Sequence, residues 1–357
     1  MTEPSTPATS ARPDFLTLPD LASRTLAGAV VHADDEFFAE KENLLLPGEP
    51  VFDPTLFGHK GKVYDGWESR RRRTPGEDAA IIRLGVPGVV RGVVVDTAFF
   101  RGNYPPQVAL DGAWVEGYPD AEQLAAASWR PLVPPSPAQG DIRNAYAVAD
   151  ETPVTHVRLR MIPDGGIARL RVHGEPAPDP RFLAGTVDLA AAENGGRIVD
   201  CSDLFYSSPA NIIAPGRSRH MGEGWENARR RDDGNDHVTI ALAGPGTVDH
   251  VEIDTSYYVG NAPGSASLHG IRRAEDLDRP ETWVELVPRT PLQPDCRHRF
   301  LVGAPPAPTL PAQTPTPSGS SASTSSPTAA SRDSGCTGGS RRTRSRRWPP
   351  GSRGADR

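Results

Sequence analysis

The residue types best suited to chemistry in this chain sit in blocks that occur twice. Gly66-Trp67-Glu68-Ser69 runs into Arg70, Arg71, Arg72 and Arg73, and 158 positions later Gly224-Trp225-Glu226 leads to Arg229, Arg230 and Arg231. Asp35 and Asn43 precede the first block as Asp203 and Asn211 precede the second; Asp96 and Asp254 follow. An arginine guanidinium is a planar fork that grips a carboxylate through paired hydrogen bonds, where lysine offers a point charge. Carboxylates accept N–H hydrogens and can carry protons when burial tunes their pKa. Each copy therefore holds parts for gripping a small acid and moving protons on it. The candidate acid/base groups are Asp35, Glu68 and Asp96 in the first copy and Asp203, Glu226 and Asp254 in the second. The candidate binding groups are Arg71, Arg72 and Asn43, then Arg229, Arg230 and Asn211.

Plainer roles compete for the same residues. Side chains alternate along a strand, so at most two arginines of a cluster line one site and the others face solvent or pair with acids. Trp67 and Trp225 are expected in a core. Asn43 and Asn211 suit turn-capping as well as ligand binding. Asp96 and Asp254 end apolar runs, and a buried acid needs a partner, for which a cluster arginine is the expected choice.

The echo extends well beyond these blocks. "ADDEFFAEKENLL" (Ala33–Leu45) aligns with "CSDLFYSSPANII" (Cys201–Ile213), and Asp78 matches Asp236. "VVVDTAFFRGNYP" (Val93–Pro105) aligns with "VEIDTSYYVGNAP" (Val251–Pro263), which pairs Asn103 with Asn261. A period of about 155 to 168 residues is far too long for a solenoid and marks a duplicated domain. Each copy is rich in Val and Ile runs bounded by turn residues, with two short strands expected on either side of Pro87-Gly88. "THVRLRMIPDGGIARLRVHG" (Thr155–Gly174) has the alternation and the Pro-Asp-Gly-Gly centre of a hairpin. Helical periodicity is confined to stretches such as Asp120–Ser128. The expected fold is all-β, two tandem jelly-roll or β-sandwich (galactose-binding-like) repeats.

Totals bound the function. With 24% charged and 37% apolar residues the chain is of soluble, globular type, and its net charge of -6 draws neither nucleic acid nor an anionic membrane. No apolar run approaches the roughly 20 residues of a membrane span. The start, "MTEPSTPATSARPDF", lacks the basic and apolar regions of a signal peptide. Cys201, Cys296 and Cys336 show neither metal spacing nor a disulfide framework, which fits reduced thiols and a cytoplasmic location. The nine histidines are scattered without ligand spacing, so no cofactor is expected, and a divalent metal held by distant loops is left open.

"DDEFFAEKENLL", "GKVYDGWESRRRR", "IIRLGVPGVVRGVVVDTAFFRGN" and "PDGGIARLRVHG" together resemble the allantoicase family, over about residues 25 to 303 and in both copies. The resemblance implies hydrolysis of allantoate to ureidoglycolate and urea, with allantoate as the small-molecule partner and a homo-oligomer compatible with it. Similar proteins carry His-Asp-Trp before the Ile-Ile-Arg-Leu-Gly strand; here only the acid is kept, as Asp78 and Asp236, which bears on any proton transfer by that histidine. Two other readings compete: a non-catalytic jelly-roll ligand-binding protein, and an inactive homologue.

The expected organisation is a disordered leader (1–24), a first repeat (25–180), a linker (181–196), a second, incomplete repeat (197–303) and a disordered tail (304–357). The second repeat has no counterpart of Thr155–Gly174 before the Pro/Ser/Thr-rich tail begins. Back-translated one frame away, Ser321–Gly338 is compatible with V-R-V-D-V-F-P-D-G-G-I-S-R-L-R-L-H-G, close to Val157–Gly174. A frameshift near residues 304 to 320 is expected, and the basic "RRTRSRR" then carries no message about nucleic acid.

Overall fold

The structure, a computed structural model, describes residues 13–303. Besides a small hairpin of Phe57–Gly58 and Gly61–Lys62, the first-repeat strands are β1 (Ala29–Ala33), β2 (Trp67–Glu68), β3 (Asp78–Asp96), β4 (Gln107–Ala113), β5 (Arg130–Pro137), β6 (Arg143–Ala147), β7 (Val154–Ile162), β8 (Gly166–Ile167) and β9 (Arg169–Pro176). One short helix, α1 (Ala121–Ala125), falls within Asp120–Ser128; a reciprocal cap between Asp120 and Gln123 starts it. All strand pairings are antiparallel.

β3 organises the repeat. Its first half pairs with β1 and β7, and its second half with β9 and β6; β7 also pairs with β4, which pairs with β5. Two sequence expectations need correcting here. Pro87-Gly88 does not separate two strands: β3 runs through it, and its pairing with β7 breaks register between Arg83 and Gly88. Proline offers no N–H to the ladder, so the break in pairing falls where none is required. Gly88 also lies so close to β9 that a Cβ there would meet Glu175 O at 2.3 Å. The second correction concerns Thr155–Gly174, which is not a two-stranded hairpin. Its arms, β7 and β9, part at Pro163–Gly165 and pair with different halves of β3. A 19-residue strand offers each arm its own partner and its own apolar face.

Alternation along β3 buries Ile82, Leu84, Val86, Val90, Val93 and Val95 in a core with Trp67, Leu110, Leu159 and Leu170. The core reaches into the expected leader. Leu21 is fully buried, its N–H donates to Val172 O at 2.8 Å and its carbonyl accepts from Gly85 N at 2.8 Å. Residues 13–24 are thus part of the first repeat, because Leu21 covers the end of the sheet; residues 1–12 lie outside the described residues.

The second repeat contains β10 (Arg197–Cys201), β11 (Val238–Ala241), β12 (His250–Asp254), β13 (Ser265–Gly270), β14 (Val284–Pro291) and β15 (Arg297–Leu301). They form three separate antiparallel pairs, β10–β11, β12–β15 and β13–β14. These repeat β1–β3, β3–β6 and β4–β5. Among the described residues nothing corresponds to β7, β8 or β9; in the first repeat β7 joins the β4–β5 pair to β3. Without them, β12 and β15 alternate only between exposed and half-buried positions, where β3 is buried along most of its length. The tail, 304–357, lies outside the described residues.

Candidate active site

β2 is short but tightly placed. Glu68 pairs with Gly166 and Trp67 with Ile167 of β8, and a bridge ties Glu68 to Ala39 on the other side. The Trp67 ring is buried as expected, and its Nε1–H donates to Asp35 O at 2.8 Å. This fixes the strand so that Glu68 enters a cleft of about 510 Å³ lined by Phe38, Arg71, Arg72, Asn103, Tyr104 and Asp164, among others.

The Glu68 carboxylate is oriented by Asn103, whose Nδ2 donates to Oε1 at 2.6 Å. Burial pushes the Glu68 carboxyl above its usual range, and the Asn103 hydrogen bond pulls back against that rise. A carboxyl so placed gives up its proton less readily than an exposed glutamate and is suited to proton transfer. No histidine lines the cleft.

After Glu68 the chain leaves strand geometry and is stitched to the Pro163–Gly165 turn. Ser69 N donates to Gly165 O at 3.0 Å, Arg72 N to Asp164 Oδ2 at 2.8 Å, and Asp78 N to Pro163 O at 3.0 Å. Arg71 and Arg72 are neighbours that both line the cleft, an arrangement strand alternation would forbid. It arises because β2 ends at Glu68. Their roles differ. Arg72 forms an ion pair with the buried Asp78. Arg71 is exposed to the cleft and makes no side-chain hydrogen bond or ion pair among the described residues. Arg70 turns away, with Nε 2.7 Å from Asp35 Oδ2 and its guanidinium over the Phe37 ring.

The remaining first-copy candidates lie outside the cleft lining. Asp35 anchors the approach to β2: its Oδ1 accepts from Phe37 N at 2.8 Å and its Oδ2 from Arg70. Burial works to raise its carboxyl, but these hydrogen bonds bring it below the usual range. Asn43 donates from Nδ2 to Gly66 O at 3.1 Å, bracing the turn that leads into Trp67. Asp96 is buried as expected, but its partner is not from the arginine cluster. Its Oδ1 accepts from Ala98 N at 2.8 Å and its Oδ2 lies 3.4 Å from Arg143 Nε. The reason is register: β6 sets Arg143 directly opposite Asp96. Replacing Asn43 by alanine should cost about 1 kcal/mol of stability, one net hydrogen bond, read as a shift of the denaturant midpoint. An unmoved midpoint would show that this brace carries no load.

The second copy repeats most of this geometry. Asn261 Nδ2 donates to Glu226 Oε1 at 2.7 Å, Trp225 Nε1 to Asp203 O at 3.0 Å, and Asn211 Nδ2 to Gly224 O at 2.9 Å. Asp203 Oδ2 accepts from Ala228 N at 2.9 Å, and Asp254 Oδ1 from Ser256 N at 2.8 Å. Arg230 pairs with Asp236 at 2.7 Å, as Arg72 does with Asp78, while Arg229 is exposed and without a partner among the described residues.

Asn103, Tyr104, Asp164 and Phe38 complete the site without having been chosen from the sequence. The recurrence of Asn103 as Asn261 was a usable signal, but Gly-Asn also reads as an ordinary turn. Among the described residues no cluster of three or more His, Cys, Asp or Glu could hold a metal ion, and no helix is long and apolar enough to cross a membrane. Cys201 and Cys296 are free thiols; Cys336 lies outside the described residues.

The family model described as the allantoicase repeat matches twice, over residues 19–177 and 187–313. A probable allantoicase of Nocardia farcinica is 59% identical over 293 residues, covering 81% of this chain and 87% of that protein. One from Streptomyces avermitilis is 50% identical over 305 residues, covering 82% of this chain and 80% of that protein. The crystal structure of allantoicase from Saccharomyces cerevisiae superposes with a TM-score of 0.66 at 32% identity, covering 79% of this chain and 84% of that one.

Proposed function

Because this chain belongs to the allantoicase family, we propose that its hydrolysis of allantoate is carried out in the first-repeat cleft by Glu68, with Arg71 as the carboxylate clamp. The overall reaction adds water across one C–N bond of allantoate and yields ureidoglycolate and urea, a step of purine degradation. Allantoate carries one carboxylate and two ureido groups on a single carbon, so a site for it needs a cation, acceptors for ureido N–H groups and a proton carrier. Arg71 supplies the cation without first having to break an ion pair. Glu68 and the Asn103 amide face the ureido groups. Glu68, ionised at the start, takes a proton from the water that adds at the carbon and passes it to the departing urea nitrogen. The observation that carries this reading is the conjunction of an unpaired arginine and a desolvated, Asn-oriented glutamate in one cleft. A cytoplasmic setting accords with the free thiols Cys201 and Cys296.

The direct test is to incubate the protein with allantoate and follow urea and ureidoglycolate; release of neither overturns the proposal. Arg71→Ala should raise KM for allantoate by roughly 10- to 100-fold, the loss of a charge-assisted hydrogen-bonded contact of about 1.5–3 kcal/mol. Arg70→Ala should change it little, since that guanidinium serves Asp35. An unchanged KM in the Arg71 variant would remove this residue from the carboxylate site.

A further inference from the structure

The loop that carries Asn103 is built alike in both repeats. Thr97 Oγ1 reaches Gln139 O at 2.6 Å and Ile142 O at 2.9 Å, as Thr255 Oγ1 reaches Gln293 O at 2.6 Å and Cys296 O at 2.8 Å. Phe99 and Tyr257 are left-handed, at φ 68° and 69°, and each donates its N–H to an acid, Asp141 or Asp295. Both loops then bring an asparagine onto a glutamate, Asn103 onto Glu68 and Asn261 onto Glu226. The next residue breaks the likeness. Tyr104 stands where the second repeat has Ala262, and Gly140 stands where it has Pro294. A Cβ at Gly140 would meet Tyr104 Cδ1 at 2.3 Å and Phe100 O at 2.6 Å, so the ring is seated where only glycine leaves room. The second loop forms with alanine in that place. Tyr104 is therefore needed neither to hold the loop nor to orient the glutamate.

What Tyr104 adds is a hydroxyl at the cleft. The residue is half-buried and lines the cleft, and its hydroxyl makes no hydrogen bond among the described residues. The other side-chain donors of the lining are engaged. Arg72 is paired with Asp78, Asn103 Nδ2 is given to Glu68, and Ser69 is buried with its Oγ 3.5 Å from Gly165 N. Arg71 is the carboxylate clamp. Allantoate also presents the carbonyl oxygens of its ureido groups, which need donors that an ionised Glu68 cannot supply. As the C–N bond breaks, its electron pair moves onto the departing nitrogen and is shared with the adjoining carbonyl oxygen. A donor to that oxygen binds the transition state more tightly than the substrate.

We propose that Tyr104 is a catalytic residue of this reaction, its hydroxyl donating a hydrogen bond to the carbonyl oxygen of the departing ureido group. The tyrosine keeps its proton throughout: the hydroxyl of water goes to the carbon, and the remaining proton passes through Glu68 to the nitrogen. The proposal rests on the first-repeat site described above, and the test keeps the two apart. Tyr104→Phe leaves the ring on Gly140 and removes only the hydroxyl. It should lower kcat for urea release roughly 10- to 100-fold, the loss of one hydrogen bond to a developing charge. KM and the acid limb set by Glu68 should stay in place, and thermal melting should match the wild type. Tyr104→Ala, which installs the second repeat's own residue, should lose at least as much activity. An unchanged kcat in Tyr104→Phe would overturn the proposal, whatever the alanine variant does. So would loss of the acid limb, since the tyrosine would then act only through Glu68. Losses in Glu68→Gln and Arg71→Ala beside an unaltered Tyr104→Phe would remove the tyrosine alone. Unaltered turnover in those two variants beside a loss in Tyr104→Phe would instead refute the first-repeat reading and leave Tyr104 standing.

Discussion

Glu68→Gln is expected to lower kcat for urea release by on the order of 100-fold or more, the usual contribution of a positioned proton carrier, with the fold intact. Glutamine keeps the side-chain length and can still meet Asn103, so the cleft retains its shape while the group that exchanges protons is gone. The wild-type pH profile should carry the same signature. Burial raises the Glu68 carboxyl, so the ionised form is lost, as pH falls, at a higher pH than for an exposed glutamate. An acid limb of kcat/KM should therefore lie above the ordinary range near 4.3 and vanish in the glutamine variant. Stability has the opposite sense. A carboxyl whose pKa is raised by folding binds more protons in the folded state, so it costs stability as pH rises from the unfolded to the folded value. Glu68→Gln should remove that cost, flattening the decline across the window. A variant with unchanged kcat would end the assignment of Glu68 as proton carrier.

Arg72→Ala is expected to destabilise the protein by about 3 kcal/mol, the cost of leaving a buried charge without its partner. Asp78 is 3% exposed at its side chain and Arg72 is 28% exposed, so the acid, not the arginine, bears most of the penalty. Adding Asp78→Asn should recover a good part of the loss, because it removes the stranded charge. The second-repeat pair provides the control. Arg230 and Asp236 are 32% and 29% exposed, where solvent screening reduces a pair to below about 1 kcal/mol, so Arg230→Ala should be nearly silent. Denaturant midpoints measure all of these. Equal losses from Arg72 and Arg230 would show that burial of the acid is not what sets the cost.

The same comparison shows why Arg71 and Arg72 divide their work although the sequence presents them alike. Both follow Glu68 and both reach the cleft, yet Asp78 returns at the start of β3 to claim only Arg72. A pattern of residue types can nominate a cluster of arginines. It cannot say which of them an acid six positions later will neutralise.

Local and repeated properties of the chain were legible from residues alone. The duplication, the all-β character, the burial of Trp67 and the short helix near Asp120 follow from patterns within a few residues or from one stretch echoing another. Other features depended on which strands meet across long separations. β3 proved long enough to pass through Pro87-Gly88 and to take β7 and β9 on different halves, so an apparent hairpin became a crossing. That crossing sets Asp164 beside Arg72, 92 positions away, and register sets Arg143, not a cluster arginine, opposite Asp96. Residue types decided that an acid-binding, proton-moving site could be built here. Tertiary pairing alone decided which arginine stays free and which glutamate loses its water, because both outcomes depend on neighbours brought in from distant parts of the chain.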